Sequence, residues 1–316
     1  MLEQIFKNCL YVEKSNDGYI PVRFTEKQMK AYEKEEAYYI RANSCAGVSM
    51  EFITDQDEVS FEYEGGYYSR PRLILDIYEN DVLIQTITDC EHLKHGKVNY
   101  KRRNQGKKSK ITIYLPYSAR LRIFNIDIGN YETISDEGKL RYLAIGDSIT
   151  QGIESTRASL TYPTLIARHF DAVLLNQAVG GYKYLSESLD EDLPYKPDFV
   201  TIAYGTNDFK HLSDESLIKR NITDYYKKLE GMFSCPINVI TPIWRKEIDY
   251  DEAKRLKFFR IIDIINDMAS KYDYHVIDGL KLIPHNEEYY YDSYLHPNAK
   301  GFLCYALNLI KQIKIK

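Results

Sequence analysis

The chain is expected to pair an all-β antiparallel sandwich over residues 1–137 with an α/β domain over 138–316, built on a five-stranded parallel sheet. Three observations give this. Residues 38–128 read as short strands separated by turn signals, and beyond residue 139 strand-like and helix-like segments alternate. Between the two regimes, Gly129 to Gly138 is short and polar, so the halves are expected to pack together.

In the first half the strand-like runs are Tyr38 to Ala42, Val48 to Ile53, Val59 to Tyr63, Leu73 to Tyr78, Val82 to Ile87, Lys110 to Tyr114 and Leu121 to Ile128. Gly65-Gly66, Asn80-Asp81 and Gly106 punctuate them. Val48-Ser49-Met50-Glu51-Phe52 and Val59-Ser60-Phe61-Glu62-Tyr63 alternate apolar with polar, as strands with one buried face do. In the second half, strands are expected near 141–146, 172–176, 198–204, 236–242 and 274–278, with helices near 161–170, 215–232, 251–271 and 298–314. The helix from Asp251 carries Leu256, Phe259, Ile262, Ile265 and Ala269 at three-and-four spacing, which reads as its core-facing stripe.

Four segments at the ends of these strands carry chemistry. Gly146-Asp147-Ser148-Ile149-Thr150 follows the apolar run Tyr142 to Ile145 and sets a serine at a strand tip, where open α/β sheets gather their reactive groups. Alone it is a weak signal, because all three leading residues are common turn formers. Asn176 to Gly181 ends in paired glycines that read either as a tight turn or as a backbone able to approach a ligand. Gly205-Thr206-Asn207-Asp208 follows a buried-strand pattern; its asparagine is either an Asx turn or an NH₂ donor to a developing oxyanion. Tyr291 to Asn298 contains His296 in a loop before the last helix, where a neutral imidazole can deprotonate a serine.

In this order and context, Gly146-Asp147-Ser148, Gly181, Asn207 and His296 resemble the four sequence blocks of the SGNH hydrolases, or GDSL esterases, over roughly residues 139–316. The resemblance implies a flavodoxin-like three-layer catalytic domain. It implies Ser148 as nucleophile, His296 as base, and an oxyanion hole made by the N–H groups of Ser148 and Gly181 with the Asn207 side chain. The family's acid usually lies three residues before the histidine. Here that position is Ser293, and Asp292 lies four before. The triad therefore reads as Ser148, His296 and Asp292 with a loop bulge, against a Ser–His dyad oriented by a backbone carbonyl. The preceding sandwich resembles the accessory jelly roll of two-domain carbohydrate acetyl esterases.

That likeness implies a serine esterase removing a short acyl group, acetyl in particular, from a carbohydrate or related small molecule. Asp147, Trp244 and Arg245 are candidates for the substrate pocket, with packing of the single tryptophan against the last helix as the competing reading. The alternatives are a glycan-binding protein without catalysis and an acyltransferase.

Composition narrows the rest. A formal charge of −4 over 316 residues advertises no nucleic acid, and the basic run Lys101 to Lys110 reads as a solvated hairpin loop. No run is long enough to span a bilayer, and the first residues lack a secretory pattern, which gives a cytoplasmic expectation. Five scattered cysteines without CxxC spacing read as reduced thiols. No cofactor and no metal are expected, and Tyr-rich strands are compatible with an oligomer face.

Overall fold

A computed structural model describes residues 2–15, 17–211 and 214–315. The N-terminal half contains β1 (Phe6–Lys7), β2 (Tyr11–Ser15), β3 (Gly18–Val22), helices α1 (Glu26–Tyr32) and α2 (Glu36–Ala42), then β4 (Ser49–Thr54), β5 (Glu58–Gly66), β6 (Leu73–Glu79), β7 (Val82–Asp89), β8 (His95–Lys101), β9 (Ser109–Tyr114), β10 (Arg120–Asp127) and β11 (Tyr131–Thr133). They form two antiparallel sheets, ordered β1-β4-β9-β6-β7 with β11 also on β4, and β2-β3-β10-β5-β8. Met50, Phe52, Leu75, Ile77 and Ile113 of one sheet meet Val59, Phe61, Val98, Leu121 and Ile123 of the other in a single buried cluster. The alternation read from the sequence is thus the inner face of a sandwich. Asn80 and Asp81 both take positive φ (50° and 63°), which gives the β6–β7 hairpin a turn whose twist matches its strands.

The second half runs β12 (Leu140–Gly146), α3 (Ser148–Gln151), α4 (Tyr162–His169), β13 (Ala172–Ala178), β14 (Phe199–Ala203), α5 (Glu215–Met232), β15 (Ile237–Ile240), α6 (Glu247–Tyr250), α7 (Glu252–Ser270), β16 (His275–Ile277) and α8 (Ala299–Ile310). The five strands pair parallel in the order β13-β12-β14-β15-β16. Chain order reverses around β12, the kind of switch point at which a crevice opens beyond the strand ends. The outer face of β6 seats the second half: Asp76 accepts from the N–H and hydroxyl of Ser159 at 2.8 and 2.6 Å, and Tyr78 bonds the same hydroxyl.

Three local expectations are corrected. Tyr38 to Ala42 is not a strand but the body of α2; together with α1 it brings Tyr32 and Ala42 into the core of the parallel-sheet layer. In α7 the buried stripe is Phe258, Ile261, Ile264, Ile265, Met268 and Ala269, whereas Leu256 and Phe259 are 64% and 44% exposed. The basic run is not a hairpin loop, because β8 pairs with β5 and β9 with β4 and β6, so it crosses from one sheet to the other. Nor is it wholly solvated. Arg102 is buried, donating to Gln56 O and to Lys107 O, with the Glu79 carboxylate at 3.8 Å. Among the described residues no helix is long and apolar enough to cross a membrane.

Candidate active site

β12 ends at Gly146, where a Cβ would lie 2.1 Å from Thr150 Oγ1 and 2.9 Å from Ala203 O. Only glycine lets the chain fold back this sharply from strand into α3. Asp147 caps α3 by accepting from the Ile149 N–H at 3.0 Å. Gly152 closes the helix at φ +92°, a conformation that favours glycine. Ser148, the first residue of α3, is held at the mouth of the crevice beyond the sheet.

The histidine arrives on the loop before α8. Ser148 Oγ lies 3.0 Å from His296 Nε2, and His296 Nδ1 lies 2.7 Å from Asp292 Oδ2. The other oxygen of Asp292 accepts the N–H groups of Tyr294, Leu295 and His296 at 3.0, 2.8 and 3.1 Å. Burial works against this charge, but the bonds from the His296 ring and the Leu295 N–H outweigh it and hold the carboxyl down at about 2. The one-residue offset in spacing is taken up by Ser293, which bulges at φ +54°. With Nδ1–H given to Asp292, Nε2 is free to accept the serine proton.

The candidate donors to an oxyanion sit on the turns after β12, β13 and β14. Gly181 sits at φ +84°, and its N–H, like that of Ser148, meets no protein acceptor among the described residues. The Gly180 N–H instead donates to Gln151 Oε1 at 2.8 Å. That separates the two glycines the sequence left close: the Gly180 N–H is committed to the scaffold and the Gly181 N–H is not. Asn207 follows Gly205, whose φ of +109° and close approach to Pro242 admit no side chain. Its Nδ2 donates to Asp147 Oδ2 at 3.2 Å and to Tyr182 O at 3.1 Å, so both amide protons have protein acceptors in this state. Asp208 fastens the turn by accepting from Gly205 N–H at 3.1 Å.

The three pocket candidates fall elsewhere. Asp147 lies beneath the serine, lining a void of only about 10 Å³, and burial pushes its carboxyl up to about 7. Trp244 is 2% exposed; its indole N–H reaches the Asp249 carboxylate, and its ring packs with His285 and Tyr290. It offers no open face for a sugar. Arg245 is buried in an ion pair with Glu247, its guanidinium 4.6 Å from the Phe209 ring. Asp147 and Arg245 instead brace the Asn207 turn, through Asn207 Nδ2 and Thr206 O.

The sequence missed what α2 supplies. Arg41 Nη1 donates to Gly180 O at 2.7 Å and Tyr38 OH approaches Gly181 O at 3.4 Å. Buried Arg23 gathers the carbonyls of Arg41 and Ala42 at the end of α2, both at 3.1 Å, together with Asn176 O and Ala178 O of β13. Arg41 and Gly180 are 139 residues apart, and no local periodicity could have signalled the contact.

A parallel α/β sheet that presents serine, imidazole and carboxylate in hydrogen-bonded series beside unpaired N–H groups is built for acyl chemistry at serine. The chain belongs to the GDSL-like lipase/acylhydrolase family, whose model matches residues 144–302. It is 26% identical over 212 residues to an acetylxylan esterase of Xylanibacter ruminicola, covering 55% of this chain and 44% of that protein. The match thus spans less than half of that relative. Among solved structures, the salicylyl-acyltransferase SsfX3 from a tetracycline biosynthetic pathway matches with a TM-score of 0.80 at 18% identity, over 97% of this chain and 93% of that one. A family two carbohydrate esterase from Cellvibrio japonicus matches at 0.67 and 15% identity, over 98% and 95%. At these identities the likeness is one of fold, and it extends through both halves.

Proposed function

We propose that the protein is a serine esterase that hydrolyses short acyl esters, acetyl esters in particular, of a carbohydrate or related small molecule. The observation that carries this is the unbroken series Ser148 Oγ, His296, Asp292. Likeness to an acetylxylan esterase supports the substrate class. In the proposed path His296 Nε2 takes the hydroxyl proton as Oγ bonds the ester carbon. The oxyanion is met by the N–H groups of Ser148 and Gly181, and by Asn207 Nδ2 once it exchanges one of its two protein acceptors for the oxyanion. Collapse breaks the bond to the alcohol, which leaves with the proton from His296. Water then repeats the sequence on the acyl-enzyme and releases the acid.

The test is kcat/KM for 4-nitrophenyl acetate with the wild type beside Ser148→Ala. Turnover that vanishes in the variant supports the reading; equal rates in both, with folding intact, refute it. Acetyl preference is tested separately, since faster turnover of octanoate than of acetate esters would sink it. Supplying an acceptor alcohol and analysing products separates hydrolysis from acyl transfer.

A further inference from the structure

The N-terminal half brings three arginines to the edge of the Ser148 site, and two of them share a single carboxylate. Arg70 and Arg72, between β5 and β6, both pair with Glu154, which lies just past α3. Arg72 also donates to Tyr291 OH at 3.1 Å, with its guanidinium 4.9 Å from that ring; Tyr291 immediately precedes Asp292. At the other end Arg41 lies over the paired glycines, where a Cβ on Gly181 would come within 2.9 Å of Arg41 Nη1. The row therefore runs from Gly180 and the candidate oxyanion residue Gly181 to the loop of His296.

Within this row Arg41 is electrostatically incomplete. Glu154 is taken by its two neighbours, and among the described residues no carboxylate lies within ion-pair distance of Arg41. Burial, and after it the charge of Arg70, press its guanidinium below its ordinary value, with Tyr38 and Glu35 offsetting only part. Nη1 serves Gly180, while Nε and Nη2 have no protein acceptor among the described residues and are not sealed from solvent. A half-buried arginine with free donors, bonded to Gly180 next to the candidate oxyanion residue and within electrostatic reach of Arg70, is matched by an anion from outside. The planar fork fits a carboxylate.

We propose that Arg41 and Arg70 form a subsite for a carboxylate on the alcohol portion of the ester, so that an acylated uronic acid unit is preferred over its neutral counterpart. This rests on the esterase reading above. The alcohol side is chosen because the acyl group of that reading is acetyl, which carries no carboxylate of its own.

The experiment compares kcat/KM for an acetylated methyl glucuronoside and the methyl glucoside acetylated at the same position. The wild type is expected to favour the uronate about tenfold or more, chiefly through KM, with the ratio shrinking at high salt. Arg41→Gln and Arg70→Gln should each bring the ratio towards one, and the neutral glycoside in the same variants reads any structural loss separately. A wild-type ratio near one, or a preference that survives both substitutions, overturns the proposal. If 4-nitrophenyl acetate turnover persists in Ser148→Ala or is absent in the wild type, the esterase reading fails instead. The subsite is then decided by calorimetric titration of Ser148→Ala with methyl glucuronoside and methyl glucoside. Preferential binding of the glucuronoside supports it; equal or absent binding overturns it.

Discussion

The corner that carries Ser148 and the loop that carries His296 each contain an aspartate, and their surroundings drive the two in opposite directions. Asp147 is sealed beneath the nucleophile with one backbone N–H and the Asn207 amide for company, and burial lifts it to about 7. Asp292 sits on an exposed loop, yet the imidazole and the Leu295 and His296 N–H groups hold it at about 2. A carboxylate that must stay charged beside an imidazole is served by donors, not by depth. One that only aims an amide tolerates burial.

The sharpest way to break this comparison is to remove each chemical partner in turn. Ser148→Ala and His296→Ala should each lower kcat/KM roughly 10⁴-fold or more, and combining them should add little, because groups acting as a unit are not additive. Asp292→Asn should cost roughly 10²–10⁴ in kcat by removing the charge that stabilises the imidazolium. Activity within a few-fold of wild type would hand the orienting role to a backbone carbonyl. On the other side of the site, Asn207→Ala should cost about 10²–10³ in kcat with KM little changed. A loss seen only in KM would show that Asn207 binds the ground state and not the oxyanion.

The same division explains what could be read in the sequence. The strand-tip blocks were legible because each is a local signature: Gly146 before a capped serine, Gly205 before Asn207, and His296 ahead of a helix. The offset of Asp292 was visible too, and its resolution needed only one bulged residue, Ser293. What was not legible depends on distant partners. Tyr38-Tyr39-Ile40 has β-favouring residues, but α2 forms where Tyr38 packs edge-on against Tyr182 at 5.0 Å and Arg23 holds its last carbonyls. In α7, consecutive pairs such as Phe258-Phe259 and Ile261-Ile262 satisfy two stripes one residue apart, and only the position of the sheet selects the buried one. Trp244 and Arg245 lie past the right strand, but the depth of their burial is a tertiary property.

The smallest effects expected are on stability, and they test the contrast between the two carboxylates directly. Asp147 is raised, so its contribution is fully present below about pH 4 and is lost as pH climbs through about 7. Asp292 is lowered, so its contribution is present above about pH 4 and is lost as pH falls through about 2. Asparagine removes both titrations. The Tm of Asp147→Asn minus that of the wild type should therefore become more positive between pH 5 and pH 8, because the variant escapes burying a charge. For Asp292→Asn the difference should be most negative above pH 4 and shrink on acidification. Each kcal/mol moves Tm by roughly 2–4 °C in domains approaching this size, so shifts of a few degrees are the expected scale. Differences that run parallel with pH in the two variants would mean that depth and donors do not set these carboxylates apart, and the contrast between corner and loop would fall.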